Sequence, residues 1–125
     1  MEEKRYKIAI VDDETEILNM LQRFLSRDNK YTVNIYSNPL SAIESIDSSY
    51  DIVLMDIMMP QMNGLDVLDK IKEKNPDQKV IMMTAFSTLD KVLKSHKSGA
   101  THYLMKPFDS LDIVAKKIRE VLELK

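Results

Sequence analysis

Apolar residues fall along the chain in two alternating rhythms. Short runs rich in β-branched and aliphatic residues occur at Tyr6 to Val11, Tyr31 to Tyr36, Asp51 to Met55, Lys79 to Met83 and Thr101 to Met105, each of strand length. Between them the apolar positions are spaced three and four apart, which predicts helices. Ile17, Leu18, Leu21, Phe24 and Leu25 mark the first, Leu40, Ile43 and Ile46 the second, and Leu65, Leu68 and Ile71 the third. Leu89, Val92 and Leu93 mark a weaker fourth, and Leu111, Val114, Ala115, Ile118 and Leu122 a clear last one. The order is strand then helix, five times over.

Local punctuation fits these boundaries. Ser37-Asn38-Pro39 reads as a cap followed by a proline in a first helical turn, Asn75-Pro76 closes the third helix, and Gly99 closes the fourth. Strands one, three and four (IAIV, IVLM, VIMM) are nearly continuous apolar runs, as expected of parallel strands covered by helices on both faces. The expected fold is therefore α/β, a five-stranded parallel doubly wound (βα)5 sandwich of flavodoxin-like form. Residues 1–125 are expected to make one domain, with no linker or internal repeat.

Composition narrows the function. With 44% hydrophobic and 30% charged residues the chain is suited to a globular fold. No stretch approaches ~18 consecutive apolar residues, and no signal-peptide pattern opens the chain, so no membrane span and a cytoplasmic location are expected. There is no cysteine and there are only two histidines, His96 and His102, which excludes disulfides, thiolate zinc sites and multi-histidine cages. Any metal must sit on oxygen. Net charge is -2, acidic groups prevailing before Asp66 and basic ones after Lys91, and an acidic domain of this kind is not expected to bind nucleic acid directly.

In an open parallel sheet, ligands bind at the carboxyl ends of the strands, near the point where the strand order reverses. Asp12 and Asp13 close the first strand, Asp56 the third and Thr84 the fourth, and Lys106 with Pro107 follows the fifth. Two unit charges ~4 Å apart repel by about 4 kcal/mol at an effective dielectric near 20, so converging carboxylates call for a positive partner. Lys106 supplies one charge. An all-oxygen site suits Mg²⁺, with Mn²⁺ as a substitute, better than a soft transition metal. Asp12 or Asp13 taken alone could equally cap the helix that begins near Glu14; what favours chemistry is their concurrence with an acid, a hydroxyl and a lysine at other strand ends.

The motifs IVDDE at 10–14, LMDIMMPQMNG at 54–64, MMTAF at 82–86 and GATHYLMKPF at 99–108 together resemble those of the receiver domains of two-component response regulators, and the resemblance covers essentially the whole chain. It implies that Asp56 is the phosphoacceptor. It further implies that Asp13 and the backbone carbonyl of Met58 bind Mg²⁺ beside Asp56, with Asp12 supporting the ion largely through water. Lys106 and Thr84 would contact the phosphoryl oxygens, and Tyr103 would turn inward when Thr84 moves. Pro107 resembles the family's cis proline, and Gly64 and Ala85 fall where small residues are expected. Met58 and Phe86 lie where the family tunes phosphoryl lifetime, and both are bulky and apolar here.

By the same resemblance the phosphoryl donor is a histidine kinase or a histidine phosphotransfer protein. The output surface is formed by the fourth helix, fifth strand and fifth helix, from Ser87 through Leu122, with basic Lys91, Lys94, Lys97, Lys116 and Lys117; a phosphorylation-dependent homodimer could use the same face. Such a domain is a switch that assists its own phosphorylation and dephosphorylation rather than a turnover enzyme. Three rivals remain. A haloacid dehalogenase-like phosphatase would need D-x-D after the first strand, where this chain reads DDETE. A flavodoxin-like flavin module would find its phosphate repelled by Asp12, Asp13 and Glu14. The third is a phosphorylation-independent receiver-fold interaction module, against which Asp13, Asp56, Thr84 and Lys106 all argue.

Overall fold

The computed structural model describes residues 4–85 and 102–124. Five parallel strands, β1 (Tyr6–Val11), β2 (Tyr31–Tyr36), β3 (Ile52–Asp56), β4 (Val80–Ala85) and β5 (His102–Lys106), form one sheet in the order β2-β1-β3-β4-β5. Helices α1 (Thr15–Leu25), α2 (Pro39–Ser45) and α3 (Gly64–Lys74) lie between the first four strands, and a C-terminal helix (Leu111–Leu122) follows β5. The architecture is the expected α/β doubly wound sheet. The fourth helix expected around Leu89 to Leu93, its Gly99 terminus and Phe86 lie outside the described residues.

The period of two along each strand divides the core into two layers. On one face Ile8, Ile10, Ile52, Leu54, Ile81, Met83 and Leu104 pack against Leu18, Leu21 and Leu25 of α1 and Val114, Ile118 and Val121 of the C-terminal helix. On the other, Ala9, Val11, Val53, Met55, Val80 and Met82 meet Ala42 and Ile46 beside α2 and Val67, Leu68 and Ile71 of α3. Burial on both faces explains why β1, β3 and β4 read as unbroken apolar runs. The inward line of α2 differs from the expected one. Pro39, Ala42 and Ile46 are buried while Leu40 is 59% exposed, because a seven-residue helix starting at a proline has only about two turns to present to the sheet.

Strands β3, β4 and β5 each run one or two residues further than their apolar runs. β3 ends on Asp56, β4 on Ala85 and β5 on Lys106. Ladder hydrogen bonds carry the extended backbone past the last apolar side chain, and polar residues are thereby delivered at the carboxyl edge on strand geometry rather than on loops. Asn38 and Asn63 cap α2 and α3, their side chains accepting hydrogen bonds from Leu40 N–H and Leu65 N–H at 2.8 Å each. These caps satisfy amide groups that a helix start leaves without an intrahelical acceptor.

Candidate functional site

The chain leaves β1 for β2 on one side and returns to β3 on the other, so the order of strands reverses between β1 and β3. Val11 is in register with Met55, which sets Asp12 and Asp13 beside Asp56 just beyond the last paired row. One carboxylate oxygen from each of the three lies within 4.8 Å of the others. Thr84 and Lys106 approach from the far side. Asp56 is in register with Met83, Thr84 with Met105, and Ala85 with Lys106, so the hydroxyl and the ammonium come from positions just beyond the row of the acid. Asp12, Asp56 and Thr84 are all buried.

Lys106 Nζ is shared among carboxylates. It lies 2.7 Å from Asp12 Oδ2, 3.4 Å from Asp56 Oδ1 and 3.7 Å from Glu14 Oε1, and its own side chain is 14% exposed. The second oxygen of Asp12 accepts a hydrogen bond from Glu14 N–H at 2.9 Å, so a fully buried carboxylate is satisfied on both sides. Asp12 thus anchors the backbone entering α1. Glu14 occupies the cap position of that helix without a side-chain cap hydrogen bond.

One ammonium cannot neutralise this many acids. Burial, and next the Asp12 charge, push the Asp56 carboxyl up from 3.8 to about 7, overcoming the opposite pull of Lys106, while Asp13 adds to the rise. Burial opposes the charge on Lys106, but the hydrogen bond and charge of Asp12, helped by Asp56 and Glu14, outweigh it and its pKa is raised. The site therefore has a deficit of positive charge centred on Asp56. Its donors are all hard oxygens, a set that fits a small divalent cation and does not fit a soft metal.

The loop after β3 shapes the rest. Ile57 and Met59 are buried, which turns Met58 outward, and that residue is 51% exposed two positions after Asp56. Gly64 closes the loop: its N–H donates to Ile57 O at 2.8 Å, and a Cβ there would sit 2.1 Å from the carbonyl oxygen of Asp56. The glycine is needed for space, a close backbone approach rather than an ordinary turn. The sequence offered no sign that Glu14 would reach Lys106, since that contact joins residues 92 positions apart in the chain.

Tyr103 sits half-buried on β5 against the layer that contains Met55 and Met82. The Lys106–Pro107 peptide bond is cis. Phe86 lies outside the described residues, as do Lys91, Lys94 and Lys97 of the expected output surface. Lys116 and Lys117 lie on the C-terminal helix, Lys117 Nζ 3.4 Å from Glu120. Among the described residues no helix is long and apolar enough to cross a membrane.

A five-stranded parallel sheet with an acidic cluster, a hydroxyl and a lysine at its carboxyl edge defines a class, and the sequence model of the response regulator receiver domain matches residues 8–118. The chain belongs to that family. It is 39% identical over 110 residues to the transcriptional regulatory protein ZraR of Klebsiella oxytoca, covering 87% of this chain and 25% of that one. It is 34% identical over 116 residues to the transcriptional regulatory protein CpxR of Escherichia coli K12, covering 93% and 49%. The chain thus spans between a quarter and half the length of these two relatives. Among solved structures, a CheY-like receiver domain protein from Methanospirillum hungatei JF-1 superposes with a TM-score of 0.85 at 32% identity, over 96% of this chain and 95% of that one.

Proposed function

We propose that Asp56 accepts a phosphoryl group from a histidine kinase or histidine phosphotransfer protein, in a reaction that depends on Mg²⁺. The observation that carries this reading is the charge deficit at Asp56, a buried carboxylate facing two others with one shared lysine. A carboxylate whose ionised form a cation would favour, held at the carboxyl edge of the sheet, is suited to attack on phosphorus. Asp12, Asp13, Asp56 and the Met58 carbonyl would hold the ion, with Mn²⁺ able to replace it. When bound, the ion neutralises the acids and the oxygens of the transferring group.

The chain's own residues do the remainder. An Asp56 oxygen forms the new P–O bond as the donor's P–N bond breaks, and the leaving imidazole takes up a proton from solvent. Lys106, already 3.4 Å from Asp56, exchanges contact with Asp12 for the incoming phosphoryl oxygens. Thr84 donates its hydroxyl to the same oxygens, and its movement lets Tyr103 turn inward, carrying the change to the face made by β5 and the C-terminal helix. That face would meet the output target or a second copy of the chain. Residues 1–125 act as a single receiver unit in the cytoplasm, a switch and not a turnover enzyme, without direct contact to nucleic acid.

Incubation with acetyl phosphate and Mg²⁺ is expected to raise the intact mass by one phosphoryl group in wild type. The gain should vanish in Asp56→Ala and when the ion is chelated; an adduct that survives Asp56→Ala would refute the reading. Met58 and Phe86, neither able to orient water by hydrogen bonding, would lengthen the lifetime of the adduct, and Met58→Asn should shorten it.

A further inference from the structure

We infer that Glu14 is a specificity-determining residue that disfavours small dianionic phosphodonors at Asp56, a proposal that rests on the phosphoacceptor reading above. Lys106 has three carboxylate partners among the described residues. Two of them, Asp12 and Asp56, have side chains only 0% and 6% exposed, whereas the Glu14 side chain is 59% exposed. Glu14 is thus the one member of the group whose charge faces the solvent from which a donor arrives.

Its placement is fixed from the backbone. Asp12 accepts from Glu14 N–H at 2.9 Å and holds Lys106 with its other oxygen at 2.7 Å, so a single buried carboxylate registers both the residue and the ammonium. Glu14 also stands where the acidic site meets an apolar groove lined by Ile17, Met20, Pro107, Phe108 and Leu111. Because the Glu14 and Asp56 oxygens lie within 3.7 Å and 3.4 Å of the same nitrogen, they are closer together than the Debye length of about 8 Å at physiological salt. The charge of Glu14 is therefore felt at the reacting atom.

Glu14 repels a donor in proportion to the donor's negative charge. A protein donor can offset this with its own cations, while a small anion cannot. Glu14 touches neither donor nor nucleophile and acts through the field.

The test compares acetyl phosphate, a dianion at pH 7, with phosphoramidate, a monoanion, at saturating Mg²⁺. Glu14→Gln is expected to raise the second-order rate of Asp56 labelling about three- to fivefold with acetyl phosphate and by less than about twofold with phosphoramidate, the scale of an exposed charge. The gain should shrink in high salt. Glu14→Asp should stay close to wild type, and Glu16→Gln, an equal charge change at an exposed position in the first turn of α1, should leave both rates unchanged. Equal rates for Glu14→Gln and wild type, or equal gains with both donors, would overturn the role of Glu14 while leaving Asp56 labelled. Absence of labelling in wild type with either donor would overturn the phosphoacceptor reading and this proposal with it.

Discussion

Asp56 is held in a state that water would not choose for it. Burial and the Asp12 charge raise its carboxyl to about 7, so between the ordinary value of 3.8 and that value the folded chain binds a proton that the unfolded chain releases. Without a divalent ion, stability should therefore fall as pH rises from about 4 to about 7. Asp56→Asn removes the cost. In chelator at pH 8 the variant should melt above wild type, and the difference should shrink as pH is lowered through about 7 and disappear near about 4; thermal melts across that range check it. A variant less stable than wild type at pH 8 would mean that Lys106 already compensates Asp56 fully. Asp12, Asp13, Asp56, Thr84 and Lys106 could be picked out in the sequence because each is a polar residue directly ending or following an apolar run. Glu14 could not, because its role depends on where a lysine 92 positions away comes to rest.

At the scale of elements, the loop from Ile57 to Asn63 and the start of α3 together hold the backbone of Asp56 in place. Asn63 caps α3, and Gly64 then passes so close to the Asp56 carbonyl that no side chain fits. Gly64→Ala should destabilise the fold by about 1–3 kcal/mol, the cost of forcing an extra carbon into a packed contact. It should also slow phosphorylation of Asp56, because the backbone of that residue is what must give way. Urea titration should show a lower midpoint with an unchanged slope, and a midpoint equal to wild type would contradict the close approach. The helices α1 and α3 and the strands were legible from periodicity because their apolar positions are many and regular. The short α2 was legible in extent, through its proline and asparagine, but not in orientation: too few apolar positions exist to tell Leu40, which faces out, from Ala42, which faces in. The ends of β3, β4 and β5 were placed a residue or two early, since hydrogen bonding continues after hydrophobicity stops, while those of β1 and β2 fell where expected.

For the molecule as a whole, two apolar layers fix the sheet, and the sheet brings residues from β1, β3, β4 and β5 to one rim. The fold was readable because parallel strands buried on both faces leave so plain a pattern. The charge balance of the rim was only partly readable: the sequence shows which charges exist, while distances decide that Lys106 is shared and lies closest to Asp12 rather than Asp56. In the function proposed above, this rim makes Asp56, and none of its acidic neighbours, the phosphoacceptor. Borohydride reduces an aspartyl phosphate to homoserine, which marks the modified position permanently. After treatment with acetyl phosphate and Mg²⁺ followed by borohydride, peptide sequencing should find homoserine at position 56 and unchanged aspartate at 12 and 13. Homoserine at 12 or 13, or at none of the three, would contradict the assignment of Asp56 as acceptor.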